Sequence, residues 1–435
     1  MVIRVRHITK MRYWIVNYLE TINSSEAWQM PTSATTAFEF KRRGREGILL
    51  TDPENMWFLD FKYHDFSMRG MGGKSAIVNS GLGFAAVSRG SGTLPVIPMA
   101  RKYYDETKTC INSVIASEHA IMCTLTGFFL QQKDGTWEKI GELEVETFRW
   151  LLNKFPSGIL SLVSDTWDLW RVLVEYCAIL KDEILARDGK LVIRPDSGDP
   201  VDIMTGNVTA IFKDSDELDD IEKHFRNRMT GDDNYFRIDD KFYKVITHGG
   251  NDFRCSEITP TPQMKGVIEL LWDIFGGTIT STGYKKLNEK VGAIYGDSIN
   301  IDRSDRIDAR MIAKWFATTN YVLGVGSYSL QYVTRDTHGF AQKATYVEIG
   351  GVGIEIFKDP ITDSGDKKSA RGLLAVFLDE TGGYVLKDQA TWDEVNSEEN
   401  QLKVIFEDGE FFNQTTLTDI RARINTLLVP ELEAA

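Results

Sequence analysis

The chain has 435 residues, 42% hydrophobic and 26% charged, with 36 glycines and 11 prolines, and this composition excludes disordered, collagen-like and low-complexity proteins. The length suits about two or three domains, or one large α/β barrel with attached layers. The 50 lysines and arginines against 63 aspartates and glutamates give a net charge of −13. This balance argues against nucleic-acid binding, because nothing offsets the repulsion of phosphate backbones. A small anionic ligand, held by local Arg and Lys side chains with Mg²⁺, stays compatible with it.

Neither end of the chain suggests a membrane segment. No apolar run approaches the roughly 18 residues of a spanning helix, and the first residues carry charges where a signal peptide is apolar. We therefore expect a cytoplasmic protein that does not contact a membrane. The 4 cysteines are scattered without a CxxC pair, which predicts buried free thiols and no thiolate metal site.

Short apolar runs that end abruptly in polar or glycine residues recur along the chain, and each is typical of a buried strand. They span 158–165, 190–200, 290–298 and 320–327. Fully apolar strands are what a parallel sheet covered on both faces requires. We expect the polar residues to begin where each strand ends.

Helical stripes lie between these runs. The first follows Asp165, which we place as the N-cap, and carries Trp170, Leu173, Val174, Cys177, Leu180 and Ile184. The second carries Met264, Val267, Ile268, Leu271, Trp272 and Phe275 before a glycine pair, and the third follows Asp302 with Ile307, Met311, Ile312 and Trp315. Strands alternating with helices predict an α/β fold with its site at the strand carboxyl ends.

Two stretches differ from this alternation. Residues 206–259 are crowded with charge and show weak periodicity, which predicts a surface insertion. From about residue 340 the pattern alternates as strands do, before a final helix near Leu417–Leu428. The C-terminal part should therefore form a smaller, sheet-rich layer.

The same mixture of polar residues follows three of the apolar runs. Arg194, Asp196 and Ser197 follow one run, Gly296 and Asp297 the next, and Ser164 and Asp168 a third. Arginine binds anions or stacks on planar rings, and aspartate binds ribose hydroxyls or metal-bound water. An Arg–Asp pair that fastens a turn is the structural alternative, but its recurrence at three strand ends favours a binding site.

The segment 324–337 has the features of a phosphate site. Backbone N–H groups at a glycine turn, here Gly324, Gly326 and Ser327, cradle a phosphate that Arg335 can complete. Glycine turns end many strands, so the motif alone is weak. Its position at the last strand of the barrel-like region strengthens it.

Two further motifs have plain structural alternatives. Phe66 lies three residues before Arg69, and a ring and a guanidinium this close can sandwich a planar heterocycle, although a phenylalanine at a strand end is usually core. His119 follows Glu118 at another strand end, without a serine or cysteine partner for a hydrolase triad. Taken alone, each would be a structural residue.

Taken together and in order, these motifs resemble those of nicotinamide phosphoribosyltransferases. The motifs are HDFSMRG, SVIASEH, VSDTWD, IRPDSGDP, YGDS, GVGSYSLQYVTRDT, IFKDP and the terminal ELEAA. The resemblance implies an α/β type II phosphoribosyltransferase fold, an irregular barrel with a smaller sheet-rich α+β domain, and a homodimer. It implies transfer of phosphoribose from phosphoribosyl pyrophosphate to nicotinamide, giving nicotinamide mononucleotide and pyrophosphate in NAD biosynthesis. ATP would assist as an activating co-substrate.

The resemblance also implies a role for each matching residue. Phe66 and Arg194 would flank the pyridine ring, whose pocket Ser164 and Val114 would line. His119 would be phosphorylated transiently, with Glu118 beside it, and Arg69 would contact nucleotide phosphate or pyrophosphate. Asp196 and Asp297 would hold ribose hydroxyls, and Asp196 and Asp168 would orient Mg²⁺ through water. The remaining phosphate contacts would come from Gly326, Ser327, Arg335, Lys343 and Lys358.

By this resemblance the chain divides into a remnant N-terminal α+β layer (1–55), a barrel (56–338) and a C-terminal strand-rich layer (339–435) that packs with the N-terminal part.

Two departures from the family stand out. We find no match to the family's long N-terminal segment, and expect a strand at the start that leads into a helix over 11–22. A separately encoded piece could then complete the enzyme. Gly92 stands where the family has an aspartate that accepts hydrogen bonds from the nicotinamide carboxamide.

These departures leave three alternatives to an active nicotinamide enzyme. The chain could be a non-catalytic or partner-dependent nucleotide-binding homologue, or an enzyme with relaxed specificity towards nicotinate. Retention of His119, Arg194, Asp196 and Arg335 favours catalysis. A phosphate-binding aldolase is a distant third, because we find no Schiff-base lysine at a strand end.

Overall fold

The computed structural model describes residues 2–4, 26–133, 140–212, 235–247, 253–333, 335–338, 344–357 and 369–428. The strands are β1 (Val2–Arg4), β2 (Tyr63–Asp65), β3 (Gly90–Ser91), β4 (Ile115–Ala116), β5 (Ser157–Val163), β6 (Asp188–Arg194), β7 (Ala210–Phe212), β8 (Tyr235–Ile238), β9 (Lys241–Thr247), β10 (Phe253–Ile258), β11 (Gly277–Ile279), β12 (Lys285–Leu287), β13 (Val291–Tyr295), β14 (Tyr321–Val325), β15 (Tyr346–Ile349), β16 (Val352–Glu355), β17 (Ala375–Leu378), β18 (Tyr384–Lys387), β19 (Val404–Glu407) and β20 (Glu410–Phe411).

The helices cover the sheet and connect its strands. The longer ones are Gln29–Thr51, Lys74–Ala85, Val96–Tyr104, His119–Gln132, Ile140–Lys154, Val267–Phe275, Ile301–Ala313 and Leu417–Thr426. Shorter helical turns are Pro53–Asp60, Met68–Gly70, Leu169–Arg171, Val172–Tyr176, Cys177–Ile179, Lys181–Ala186, Pro200–Thr205, Pro262–Lys265, Thr318–Asn320, Ser327–Gln331, Arg335–His338 and Trp392–Val395.

The central sheet is parallel and contains all four strands predicted from apolar runs. Within the described residues it has 7 strands in the order β3-β2-β14-β13-β6-β5-β4. Leu162, Ile193 and Leu323 on its strands are fully buried, each contributing about 1.5–3 kcal/mol through the hydrophobic effect. This well-packed sheet fixes the positions of its strand ends.

The two edges of this sheet meet through one short stretch of chain. Ser91 N–H donates to Asn112 O at 2.9 Å and Asn112 N–H donates to Arg89 O at 2.7 Å, beside edge strand β3. Three residues further on, Ile115 begins β4, which pairs with β5 at the other edge. The stretch therefore closes the sheet into an irregular barrel, and the α/β fold class expected from the sequence is confirmed.

The predicted helices form, but two of them start at other residues than expected. Asp168, not Asp165, caps the helical segment that begins at Leu169 by accepting from Trp170 N–H and Arg171 N–H. Asn300 caps the helix that begins at Ile301, two residues before the expected start after Asp302. Val174 is 38% exposed, so the stripe assigned to it was wrong at that position. The chain unwinds from α to π geometry over Val172–Tyr176, which turns Val174 outwards.

The charged region 206–259, expected as a surface insertion, contains a sheet that we did not predict. Its described part forms the order β10-β9-β8-β7. Arg237 of β8 forms ion pairs with Glu269 on helix Val267–Phe275 and with Asp240. The insertion is thus fastened to the barrel by a buried cation.

The C-terminal region is strand-rich, as expected. Strands β15–β16 and β17–β18 form antiparallel pairs, and β19 pairs with both β1 and β20. Lys41 Nζ donates to Asn425 Oδ1 at 3.0 Å, joining the final helix to helix Gln29–Thr51. Strand β1 is the strand expected at the start, while the helix expected over 11–22 lies outside the described residues. The domain boundaries stay predictions.

The four cysteines are free, but only two follow expectation. Cys110 and Cys177 are buried, whereas Cys123 and Cys255 are exposed on a helix and on β10. No helix in the described part of the chain is both long and apolar enough to cross a bilayer.

Candidate active site

The carboxyl ends of the seven barrel strands bring most of the predicted site residues to one edge. Because parallel strands all end on the same side, residues that follow them become neighbours. The described residues that follow these strands are Phe66, Arg69, Gly92, Glu118, His119, Ser164, Asp168, Arg194, Asp196, Gly296, Asp297, Gly326 and Ser327. Val114 directly precedes β4, and Arg335 comes after the helix Ser327–Gln331. Lys343 and Lys358 lie outside the described residues.

Phe66 lies at the centre of this edge because glycines make room for its ring. Its N–H donates to Val325 O at 2.9 Å, and Asp65 Oδ1 accepts from Ser67 N–H and fixes the turn after β2. A Cβ on Gly324 would lie 2.3 Å from the ring, and one on Gly296 would lie 3.4 Å from it. The ring is only partly buried, so one side is open to a ligand.

Arg194 at the end of β6 is held by the residues that follow β4. Its Nη2 donates to Ser117 O at 2.6 Å and lies 3.3 Å from Glu118 Oε1. Its ion pair is therefore with Glu118, across the sheet. The structural alternative of an Arg194–Asp196 pair that fastens the turn, which we disfavoured, is not what holds this guanidinium. The guanidinium is 11% exposed at the edge of the site.

Asp165 fastens the turn that contains Asp196. Its Oδ2 accepts from Asp196 N–H and Ser197 N–H, each at 2.8 Å, and from Ser197 Oγ–H at 2.6 Å. Sequence reasoning missed this residue as part of the site, because an aspartate three residues before another fits a helix cap equally well. The signal available was its position directly after β5.

His119 begins a helix, and both of its ring nitrogens face polar side chains. Nδ1 lies 3.2 Å from Thr166 Oγ1, and Nε2 lies 3.9 Å from both Asp165 Oδ1 and Asp196 Oδ2. The side chain is 44% exposed. The imidazole is thus accessible to a ligand and flanked by two carboxylates.

Negative charge accumulates around Asp196. Burial raises the pKa of its carboxyl, the cations of Arg194 and Arg69 act in the opposite direction, and the carboxylates of Asp165 and Asp297 raise it further. The net result is a pKa above the ordinary value, since the two arginines do not fully offset burial and repulsion. A bound cation would relieve this repulsion.

A second group forms where β2 and β14 end. A Cβ on Gly70 would lie 2.0 Å from Ser327 Oγ, so the turn Met68–Gly70 that carries Arg69 packs directly on Ser327. A Cβ on Gly326 would meet no atom of the described residues within 4 Å, so there is open space above this glycine. Arg335 lies in the turn Arg335–His338. The space where β2 and β14 end can therefore accommodate an anion.

The remaining predicted residues mainly support the fold, through burial, a backbone hydrogen bond or a helix cap. Ser164 is fully buried, and its hydroxyl donates to Leu162 O at 2.7 Å. Asp168 uses one carboxylate oxygen as a helix cap and is exposed. Val114 lies in the stretch that closes the barrel and is partly buried.

Comparison with known proteins gives a consistent answer. The model of the nicotinate phosphoribosyltransferase (NAPRTase) family matches residues 61–410. A nicotinamide phosphoribosyltransferase of Acinetobacter baylyi is 40% identical over 421 residues, which cover 95% of this chain and 70% of the relative. That of Xanthomonas campestris pv. campestris is 30% identical (94% of this chain, 72% of the relative), and that of Mycoplasma pneumoniae is 31% identical (80% and 61%). The match spans every strand of the barrel and the whole edge just described, and the chain therefore belongs to the NAPRTase family.

Proposed function

We propose that this protein transfers phosphoribose from phosphoribosyl pyrophosphate to nicotinamide, giving nicotinamide mononucleotide and pyrophosphate in the salvage of NAD. The observation that carries the proposal is the convergence of Phe66, Asp196 and His119 on one barrel edge. The relatives are named for this activity. The protein is accordingly a pentosyltransferase.

Phe66 and Arg194 bind the base. The partly open ring of Phe66 offers a face on which a pyridine ring can stack, and the Arg194 guanidinium is held against Glu118 and Ser117. A planar guanidinium fixed in this way stacks on an aromatic ring at small entropic cost. A Cβ on Gly92 would lie 3.9 Å from Phe66 Cδ1, so residue 92 borders the same pocket.

Asp196 and Asp297 stabilise the transition state. As the bond between C1 of ribose and the pyrophosphate oxygen breaks, positive charge develops on the ribose ring. Carboxylates already in place stabilise that charge without reorganisation. The raised pKa of Asp196, which burial and the neighbouring carboxylates cause, fits a site that awaits a cationic species.

Mg²⁺ fits this site through water. Within the described residues no three metal-binding side chains converge closely enough to ligate an ion directly. The donors are carboxylate oxygens, which suit Mg²⁺, and Asp168 keeps one oxygen outside its helix cap. We therefore assign Asp196 and Asp168 to water molecules around the ion, which when bound neutralises charge on the departing pyrophosphate.

ATP enters the proposal as a co-substrate. Its γ-phosphoryl group passes to a ring nitrogen of His119, ADP leaves, and hydrolysis later frees phosphate and the imidazole. The ring is accessible, which supports this role. Arg69, Gly326, Ser327 and Arg335 hold phosphate groups at the other end of the edge, with Lys343 and Lys358. A homodimer in the cytoplasm completes the proposal.

The test is an assay of the purified chain with nicotinamide, phosphoribosyl pyrophosphate and Mg²⁺, with and without ATP. We expect mononucleotide and pyrophosphate in equal amounts, and faster formation with ATP. His119→Ala should remove the effect of ATP and keep basal transfer, because His119 supplies coupling and not ribose chemistry. Absence of product in both conditions, with nucleotide binding retained, would support the non-catalytic alternative instead.

Nicotinate is a second candidate substrate, and Gly92 is the observation that favours it. Without a carboxylate at this position the pocket has no charged acceptor for an amide and no repulsion against a carboxylate. The two bases should therefore be compared in the same assay.

A further inference from the structure

The carboxylate of Asp165 is divided between two tasks. One oxygen, Oδ2, receives all three hydrogen bonds from the Asp196–Ser197 turn. The other, Oδ1, is buried and has no hydrogen-bond partner among the described residues, and the side chain is only 5% exposed. A buried carboxylate oxygen without a donor is costly, so such an atom calls for an explanation.

Oδ1 lies 3.9 Å from Nε2 of His119. The same nitrogen lies 3.9 Å from Asp196 Oδ2, so it faces two carboxylate oxygens. Since carboxylates only accept, the favourable arrangement places the imidazole proton on Nε2. Nδ1 then faces the Thr166 hydroxyl, 3.2 Å away, which can donate to it.

We propose that Asp165 is a positioning residue that sets the tautomer and orientation of His119 while it holds the turn of Asp196. The part concerning ATP coupling rests on the proposed function. Asp168, the other aspartate of the motif, cannot take this task with its Oδ1, which caps a helix through Trp170 N–H and Arg171 N–H. The two aspartates therefore have separate roles.

Asp165→Asn separates the two tasks of the carboxylate. The three donors of the turn select the amide oxygen for the Oδ2 position, which places the NH₂ group at the Oδ1 position. That group donates where the carboxylate accepted, so Nε2 exchanges one of its two acceptors for a donor. This favours an accepting Nε2, although Asp196 Oδ2 stays in place. The imidazole proton should move to Nδ1 and be donated to Thr166 Oγ1, and the turn should stay in place.

The first measurement is the tautomer of His119 in ¹⁵N-histidine-labelled protein, at a pH where the ring is neutral. Long-range ¹H–¹⁵N spectra distinguish the two tautomers, and a His119→Gln spectrum identifies the signal. We expect Nε2–H in the wild type and mainly Nδ1–H in D165N. Asp199→Asn is the matched control, because Asp199 caps the next short helix, where asparagine caps as well. Nδ1–H in the wild type, or the same tautomer in wild type and D165N, would overturn the proposal.

The second measurement separates positioning from a purely structural role. In D165N we expect stimulation by ATP to fall at least tenfold, clearly more than basal kcat/KM falls, with an unchanged melting temperature. Asp165→Ala removes both tasks, so both activities should fall. Equal loss of both activities in D165N would leave Asp165 as a fastener of the turn and overturn the proposal. If the wild type forms no mononucleotide, the proposed function fails, while the tautomer still decides the role of Asp165.

Discussion

Two clusters of charged side chains in this protein have opposite balance. The anchor cluster, made of Arg237, Glu269 and Lys314, joins the insertion sheet to the barrel, and its carboxylate lies between two cations. The edge cluster, made of His119, Asp165 and Asp196, places two carboxylates around one imidazole at 3.9 Å. In the anchor cluster the cations outnumber the carboxylate, whereas the edge cluster leaves negative charge for a ligand.

The pKa values of the two clusters reflect this difference. Burial raises the pKa of the Glu269 carboxyl, but the cations of Lys314 and Arg237 lower it by more than burial raises it. The pKa therefore ends below its ordinary value. Burial also raises the pKa of Asp196, and there the arginines fail to reverse the effect. Burial therefore accompanies a structural ion pair in one place and a reactive site in the other, depending on the number of close cations.

The largest effect should come from breaking the anchor cluster. Glu269→Gln takes the counter-charge from buried Lys314 and leaves buried Arg237 with only the exposed carboxylate of Asp240. We expect the free energy of unfolding to fall by about 3–5 kcal/mol. Urea denaturation measures it. Glu257→Gln is the control, because its pair with Lys241 is exposed on both sides and should contribute little to stability. Similar losses in the two variants would contradict the buried role of Glu269.

Asp196→Asn should lower activity and leave stability unchanged or higher, the reverse of what we expect for Glu269→Gln. Loss of a carboxylate that stabilises the transition state should lower kcat/KM about 10²–10³-fold, near 3–4 kcal/mol. The free energy of unfolding should stay the same or rise, because a repelled carboxylate is removed. Parallel kinetics and denaturation would reveal this, and a large loss of stability would show that the edge cluster is structural after all.

A third carboxylate, behind the edge cluster, should give a pH-dependent effect of intermediate size. Burial raises the pKa of Glu144 from 4.5 to about 7, a hydrogen bond from Tyr176 opposes it, and the carboxylate of Asp168 adds to it. A carboxyl with a raised pKa stabilises the fold fully below pH 4.5, and this contribution is lost as pH rises through about 7. Glu144→Gln should therefore stabilise the protein by about 2 kcal/mol at pH 8, and by little at pH near 4.5. Thermal unfolding at the two pH values tests it, and an equal shift at both would refute it.

An effect of similar size, on selectivity and not on stability, should come from the base pocket. A Cβ on Gly92 has no neighbour among the described residues closer than 3.8 Å, so Gly92→Asp fits without strain. A charged acceptor is worth about 1.5–3 kcal/mol, so the ratio of kcat/KM for nicotinamide over nicotinate should rise by about one to two powers of ten. Equal ratios in the two proteins would remove residue 92 from base selection.

Much of the barrel could be predicted because four of its strands contain apolar runs that end in polar residues, as around Arg194 and Asp297. The insertion sheet was missed because charged residues crowd its segment and obscure the alternation in Lys241–Thr247. The contributions of Asp165 could not be predicted, since they depend on β5 and β6 lying side by side. Distances across strands are properties of the folded sheet and not of spacing along the chain.

The closure of the barrel has a consequence for motion at the site. The stretch at Asn112 meets β3 through a single residue pair, whereas β5 and β6 pair along their whole length. Gly92 follows one side of this junction, and Glu118 and His119 follow the other. Local opening there changes the width of the cleft without breaking the central ladder, so hydrogen exchange at Ser91 and Asn112 should report how often the cleft widens.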